Sequence, residues 1–130
     1  MLVNDDPGDQ AVFVRALGDV TPETLCFTAV DGRDALFMMT NENIIPDYIF
    51  VELNMPRLDG IDFLREIRKL ADLRDIPVVV HTLYPSQQKI NEIREAGAFA
   101  IYLDEYHYLG ICNLLRLYLT PGGILRISPN

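Results

Sequence analysis

Apolar residues recur along this chain with two different spacings. Short unbroken runs, among them Tyr48-Ile49-Phe50-Val51 and Pro77-Val78-Val79-Val80, read as strands buried on both faces. Between them, apolar residues return every three or four positions: Phe13, Ala16, Leu17 and Val20, then Phe63, Leu64, Ile67 and Leu70, then Ile90 and Ile93, then Ile111, Leu114, Leu115 and Tyr118. That spacing predicts helices with one inner face. The elements follow in order. A first strand covers Met1–Val3, and its brevity predicts further residues ahead of Met1. A helix follows the acidic turn after it, then a strand over Leu25–Val30 and a helix from Arg33 to about Thr40. Next come a strand over Tyr48–Glu52, a helix over Gly60–Leu70 and a strand over Pro77–His81. Ser86 can cap the next helix and Gly97 can end it. A strand over Ala100–Leu103 and a last helix complete the pattern, and Thr120-Pro121-Gly122-Gly123 stops that helix. Strand and helix therefore alternate five times, which predicts a parallel sheet covered by helices on both faces.

Composition supports one domain at 1–120, with 121–130 as a tail or linker remnant. The 130 residues are 49% hydrophobic, enough to fill a core. Acidic residues outnumber basic ones, 19 to 11, for a net charge of -8. That balance argues against direct nucleic-acid binding, which needs clustered Lys and Arg, and against an anionic membrane surface. No apolar run reaches the roughly 20 residues of a membrane helix and no signal peptide is visible, so a cytoplasmic protein is expected. A disulfide between Cys26 and Cys112 stays open, but their spacing makes no redox or metal motif and buried free thiols are the expected reading. His81 and His107 lack zinc spacing and read as structural or surface histidines. No Ser/His/Asp pattern or glycine-rich phosphate loop is present, so the chain is not expected to be an enzyme. A metal-assisted hydrolase would rest on the carboxylates alone.

The most informative segment is Val51-Glu52-Leu53-Asn54-Met55-Pro56-Arg57-Leu58-Asp59-Gly60. A buried strand ends there in a carboxylate and breaks into a Pro/Gly turn, which puts Glu52 at the carboxyl edge of a parallel sheet, where open α/β folds hold ligands. With Asn4-Asp5-Asp6-Pro7, Asp31-Gly32-Arg33-Asp34-Ala35-Leu36, Ile76-Pro77 and Glu95-Ala96-Gly97-Ala98 in their order and spacing, this chain resembles the receiver domains of two-component response regulators. The resemblance covers nearly the whole chain. It implies a flavodoxin-like (βα)5 three-layer sandwich with strand order 2-1-3-4-5. Asp5 and Glu52 would then meet at the topological switch point.

A working receiver needs acids to hold magnesium, an aspartate to accept a phosphoryl group, a lysine to pair with it and a hydroxyl to sense it. The resemblance places the acidic pair at Asn4 and Asp5, with Asp6 just after. A match shifted by one residue makes the pair Asp5 and Asp6, but Pro7 falls where the family often has it in the first register. The same three residues can also simply cap the first helix. Magnesium ligands would come from Asp5, Glu52 and Asn54. Glu52 stands where the accepting aspartate is expected. Its extra methylene displaces the carboxylate by about one bond length, and in-line transfer is sensitive to misplacement near 1 Å. Asp104 stands where the lysine is expected and inverts its charge, so Asp5, Glu52 and Asp104 would crowd like charges. Glu105 replaces the usual proline.

Thr82 and Tyr102 fall at the positions of the switch hydroxyl and its aromatic partner, although both residue types are common in strands. Tyr84, Tyr102, Tyr106, His107 and Tyr108 gather near the ends of the fourth and fifth strands, as polar-tipped aromatics do at interfaces. In the family, the face of the fourth helix, fifth strand and fifth helix docks a histidine kinase, an output protein or a second copy. The expectation is an atypical receiver that binds proteins without conventional aspartyl phosphorylation. Glu52 either imitates a phosphorylated aspartate or marks a site that no longer uses phosphate. The alternative is a receiver phosphorylated with magnesium at Glu52 or a nearby acid.

Overall fold

The computed structural model describes residues 1–120; residues 121–130, expected to be a tail, lie outside the described residues. The elements are β1 (Leu2–Val3), α1 (Pro7–Val20), β2 (Thr28–Ala29), α2 (Gly32–Thr40), β3 (Ile49–Glu52), α3 (Gly60–Arg68), β4 (Val78–His81), α4 (Gln87–Glu95), β5 (Ala100–Tyr102) and α5 (Tyr108–Leu119). The strands form one sheet in the order β2-β1-β3-β4-β5, and all four pairings are parallel. This is the flavodoxin-like arrangement the resemblance implied.

The chain forms two compact units. The first comprises Met1–Asp6 and Phe27–Asp104, and so holds the sheet with α2, α3 and α4. Its core gathers Val3, Val51, Val78 and Val80 from the strands with Phe63, Leu64, Ile67 and Ile93 from the helices. The intervening strand residues Leu2, Phe50 and Val79 are buried too. β1, β3 and β4 are thus buried on both faces, as their unbroken apolar runs require. Among the described residues, the second unit comprises Pro7–Cys26 and residues 105–120. There α1 and α5 pack together, burying Phe13, Ala16 and Leu17 from one and Ile111, Cys112 and Leu115 from the other. No disulfide joins Cys26 and Cys112; only Cys112 is fully buried.

Two elements are shorter than their apolar runs. β2 keeps only Thr28–Ala29, and Leu25 is 80% exposed. An edge strand can pair only as far as its neighbour extends, and β1 offers just Leu2 and Val3 before the acidic turn. α3 stops at Arg68, leaving Leu70 outside its inner face. The Arg68 guanidinium turns back to donate to the carbonyls of Arg74, Ile76 and Gly97 at 2.7, 2.8 and 2.6 Å. Gly97 has φ +103°, and a Cβ there would lie 2.8 Å from Arg68 Nε. Glycine is therefore required twice over where α4 ends.

Helix starts follow side-chain capping. Asp31, Asp59 and Ser86 accept hydrogen bonds from the N–H groups of Asp34, Asp62 and Lys89 at 2.8, 2.9 and 3.1 Å. At Gly60 the start of α3 lies so close to the end of β3 that a Cβ would sit 2.9 Å from Leu53 Cα and 3.0 Å from the Glu52 carbonyl oxygen. That contact fixes where the loop after Glu52 can run.

Candidate functional site at the carboxyl ends of the strands

Parallel register sets the site. Val3 pairs with Val51, so the next residues, Asn4 and Glu52, leave β1 and β3 side by side. Glu52 in turn pairs with His81 on β4, and His81 with Tyr102 on β5. The Glu52 carboxylate meets the His81 ring across the first of these pairs, with Oε1 2.6 Å from Nδ1. On the opposite side of the ring, Nε2 lies 2.9 Å from the main-chain carbonyl oxygen of Asp104. The two side chains are only 14% and 11% exposed.

The proton positions follow from the partners. A carbonyl oxygen can only accept, so His81 Nε2 carries a proton and donates it to Asp104. The gap between Nδ1 and Oε1 must then hold one further proton, since two bare acceptors at 2.6 Å would repel. Either that proton rests on nitrogen and the pair is ionic, or it rests on oxygen and the pair is neutral. The His81 ring also lies beside Tyr102, with ring centroids 5.5 Å apart at 37°. Sequence spacing placed His81 as a structural or surface histidine; it is buried and held through both ring nitrogens, a structural histidine whose partner Glu52 the spacing did not reveal.

The remaining expected residues are distributed as follows. Asn4 is buried, and its Oδ1 accepts the N–H of Asp6 at 2.8 Å. Asp5 and Asp6 are exposed, as are Asn54 and Asp104. The Asn54 N–H points to Glu52 Oε2 at 3.5 Å, the outer limit of a hydrogen bond. Thr82 is buried, and its N–H donates to the Tyr102 carbonyl at 3.1 Å, so these two residues are joined through the main chain. Burial, and behind it the charge of Asp104, pushes the Tyr102 phenol above its ordinary range.

Among the described residues, no group of three or more His, Cys, Asp or Glu side chains comes together to hold a metal ion. Asp5, Glu52 and Asp104 are no such cluster. One Glu52 oxygen is already committed to His81 and the Asn4 side-chain oxygen to Asp6. Magnesium needs fewer protein ligands than such a cluster, one or two carboxylates with waters completing its octahedron, and Glu52 Oε2 is the carboxylate oxygen left outside the His81 contact.

Sequence reading also missed a contact nearby. Arg57, in the loop after β3, pairs with Asp31, in the turn after β2. Because β1 lies between β2 and β3 in the sheet, this pair links the two loops on either side of the acidic turn after β1. Asp31 is buried. Burial works against its charge, but the N–H of Asp34, the Arg57 guanidinium and the N–H of Arg33 hold its carboxyl below the usual range. Arg57 is 58% exposed and adopts φ +66°, the left-handed region that non-glycine residues rarely enter. The motif Met55-Pro56-Arg57 signals a turn, but nothing in it names Asp31.

The aromatic residues separate by unit. In the first, Tyr84 is 88% exposed, and a groove of about 390 Å³ runs between α4 and β5, lined by Ile90, Arg94, Phe99, Ile101 and Leu103. In the second, His107 caps α5 by accepting the Gly110 N–H at 3.1 Å. Tyr108 donates to Asp19 Oδ2 at 2.5 Å, with the Arg15 guanidinium 4.6 Å from its ring centre. The hydrogen bond to Asp19, ahead of the neighbouring Cys112, pushes the Tyr108 phenol up to about 12.

Comparison with known proteins follows the same lines. The profile of the response regulator receiver domain matches residues 1–103. The chain is similar to the probable C4-dicarboxylate response regulator DctR of Bacillus subtilis, 31% identical over 98 residues, which are 75% of this chain and 42% of that protein. It is also similar to the sensor histidine kinase CheAY of Helicobacter pylori, 30% identical over 82 residues, 63% of this chain and 10% of that protein. The chain thus spans less than half the length of these curated relatives. Among solved structures, the manganese-bound form of response regulator Rcp1 superposes with a TM-score of 0.84 at 24% identity, covering 92% of this chain and 93% of that one. At that identity, the likeness speaks for the fold.

Proposed function

Since this chain belongs to the response regulator receiver domain family, a receiver of two-component signalling, we propose that it serves as a protein-binding module that works without conventional aspartyl phosphorylation. The observation that carries this reading is the state of the acceptor position. Glu52 is held at 2.6 Å by His81, and the lysine position is an exposed aspartate. A phosphoryl group arriving at Oε1 would have to break the His81 contact. It would also meet a carboxylate displaced by one methylene, and it would find no cation from residue 104 to balance its charge. Asp5, Glu52 and Asn54 remain the residues whose oxygens a divalent cation would use, and at Glu52 it would take Oε2, because Oε1 is held by His81.

Binding is assigned to the side of the first unit formed by α4 and β5, with a histidine kinase, an output protein or a second copy of this chain as partner. The groove between α4 and β5, lined in part by exposed Phe99 and Leu103, and the separately exposed Tyr84 support that assignment. β5 is also an edge strand of the sheet among the described residues.

The test is intact mass after incubation with magnesium and acetyl phosphate. The native chain is expected to gain no phosphoryl adduct, and the Glu52→Asp, Asp104→Lys chain to gain one. A doubly changed chain that stays inert would mean that the loops around the site have diverged as well. An adduct on the native chain that disappears on Glu52→Gln would overturn the reading and make this a magnesium-dependent phosphoacceptor.

A further inference from the structure

We infer that His81 is the positioning residue that joins the acceptor position to the β5–α5 loop, in place of the lysine this chain lacks. A lysine at residue 104 would link that loop to residue 52 by reaching across β4. Here the link runs from β4 itself. One imidazole spans the same two positions, with Nδ1 at Glu52 Oε1 and Nε2 at the Asp104 carbonyl, 2.6 and 2.9 Å away.

The geometry suits this role in three ways. Glu52, His81 and Tyr102 are abreast in register on three neighbouring strands, so the ring sits between the ends of β3 and β5. Both ring nitrogens are engaged and the ring lies beside Tyr102, which leaves it few alternative rotamers. The partner on the loop is a main-chain atom, so the contact reports where the backbone at residue 104 lies, whatever its side chain. Asp104 leads directly into Glu105-Tyr106-His107 and α5. Whatever engages or displaces the Glu52 carboxylate is therefore felt at that loop through His81. This inference stands on the hydrogen-bond geometry and is independent of whether the chain accepts phosphate.

The experiment is a double-substitution cycle read at the carbonyl ¹³C resonance of Asp104, which moves when its hydrogen bond is lost. The chains compared are native, Glu52→Ala, Glu52→Gln, His81→Phe, and Glu52→Ala with His81→Phe. Phenylalanine keeps the ring and removes both nitrogens. Glutamine keeps the tie, because its amide N–H can donate to Nδ1 while Nε2 still donates to Asp104. The expected result is that Glu52→Ala and His81→Phe shift the Asp104 carbonyl in the same direction. Glu52→Gln should leave it near its native place, and the double change should move it no further than His81→Phe alone. Should Glu52→Ala lose the dispersed signals of the sheet, Glu52→Met keeps the side-chain bulk and takes its place. An Asp104 carbonyl indifferent to residue 52, or shifts that add in the double variant, would overturn the inference. A phosphoryl adduct on the native chain would overturn the phosphate-independent reading and leave this cycle untouched.

Discussion

Two carboxylates at the carboxyl edge of the sheet meet opposite fates because of their neighbours. Glu52 faces an imidazole that brings a shared proton, whereas Asp31 faces two main-chain N–H groups and a guanidinium. The Asp31 carboxyl is held below its usual range, which makes it a contributor to stability with a definite sign. A depressed carboxyl stabilises the folded chain at pH above its unfolded value of about 3.9, and that contribution fades as pH falls through the folded value. Arg57 is 58% exposed, so solvent screens its share, and the helix cap is the larger part. Asp31→Ala should therefore cost about 1–2 kcal/mol at pH 7, mostly as a lost cap. The gap between native and variant should narrow below about pH 3.9. Urea unfolding of both chains at pH 7 and pH 3 checks the magnitude and the sign.

At the scale of elements, the site depends on how closely α3 abuts β3. Only a missing side chain lets the α3 terminus approach Leu53 Cα and the Glu52 carbonyl, since a Cβ on Gly60 would fall 2.9 and 3.0 Å from them. Both obstacles are backbone, so neither can swing aside. Gly60→Ala should destabilise by about 1–3 kcal/mol even though alanine is the better helix former. The urea midpoint should fall with the slope unchanged. Element positions were largely legible: unbroken apolar runs marked β3 and β4, and Ser86 and Gly97 bounded α4 as read. The misreadings lay at element ends, where apolarity continues past the pairing. Leu25 is as apolar as a strand residue, but β1 is too short to give it a partner. Leu70 continues the α3 period, but Arg68 has already turned to cap the carbonyls beyond.

For the whole molecule, the net charge of -8 acts beyond any single contact. Like charges repel across a compact chain, and salt shortens their reach from about 30 Å at 0.01 M to about 10 Å at 0.1 M. The melting temperature should rise as sodium chloride is raised over that range, as scanning calorimetry would show; a flat or falling response would mean local pairs dominate. No helix of the described residues is long and apolar enough to cross a membrane, in keeping with polar residues interrupting every apolar run. Read as a string, the chain already contained its alternation of strand and helix, the carboxylate ending β3, the aspartate where a lysine was expected, and the family likeness built on them. These depend on residues near one another, because periodicity, capping and turn chemistry act over a few positions. The partner of Glu52 was not there to be read. His81 lies 29 residues away, and Asp31 and Arg57 are separated by 26. Which residues face each other across strands is set by the register in which buried side chains pack. That register exists only once the sheet has formed.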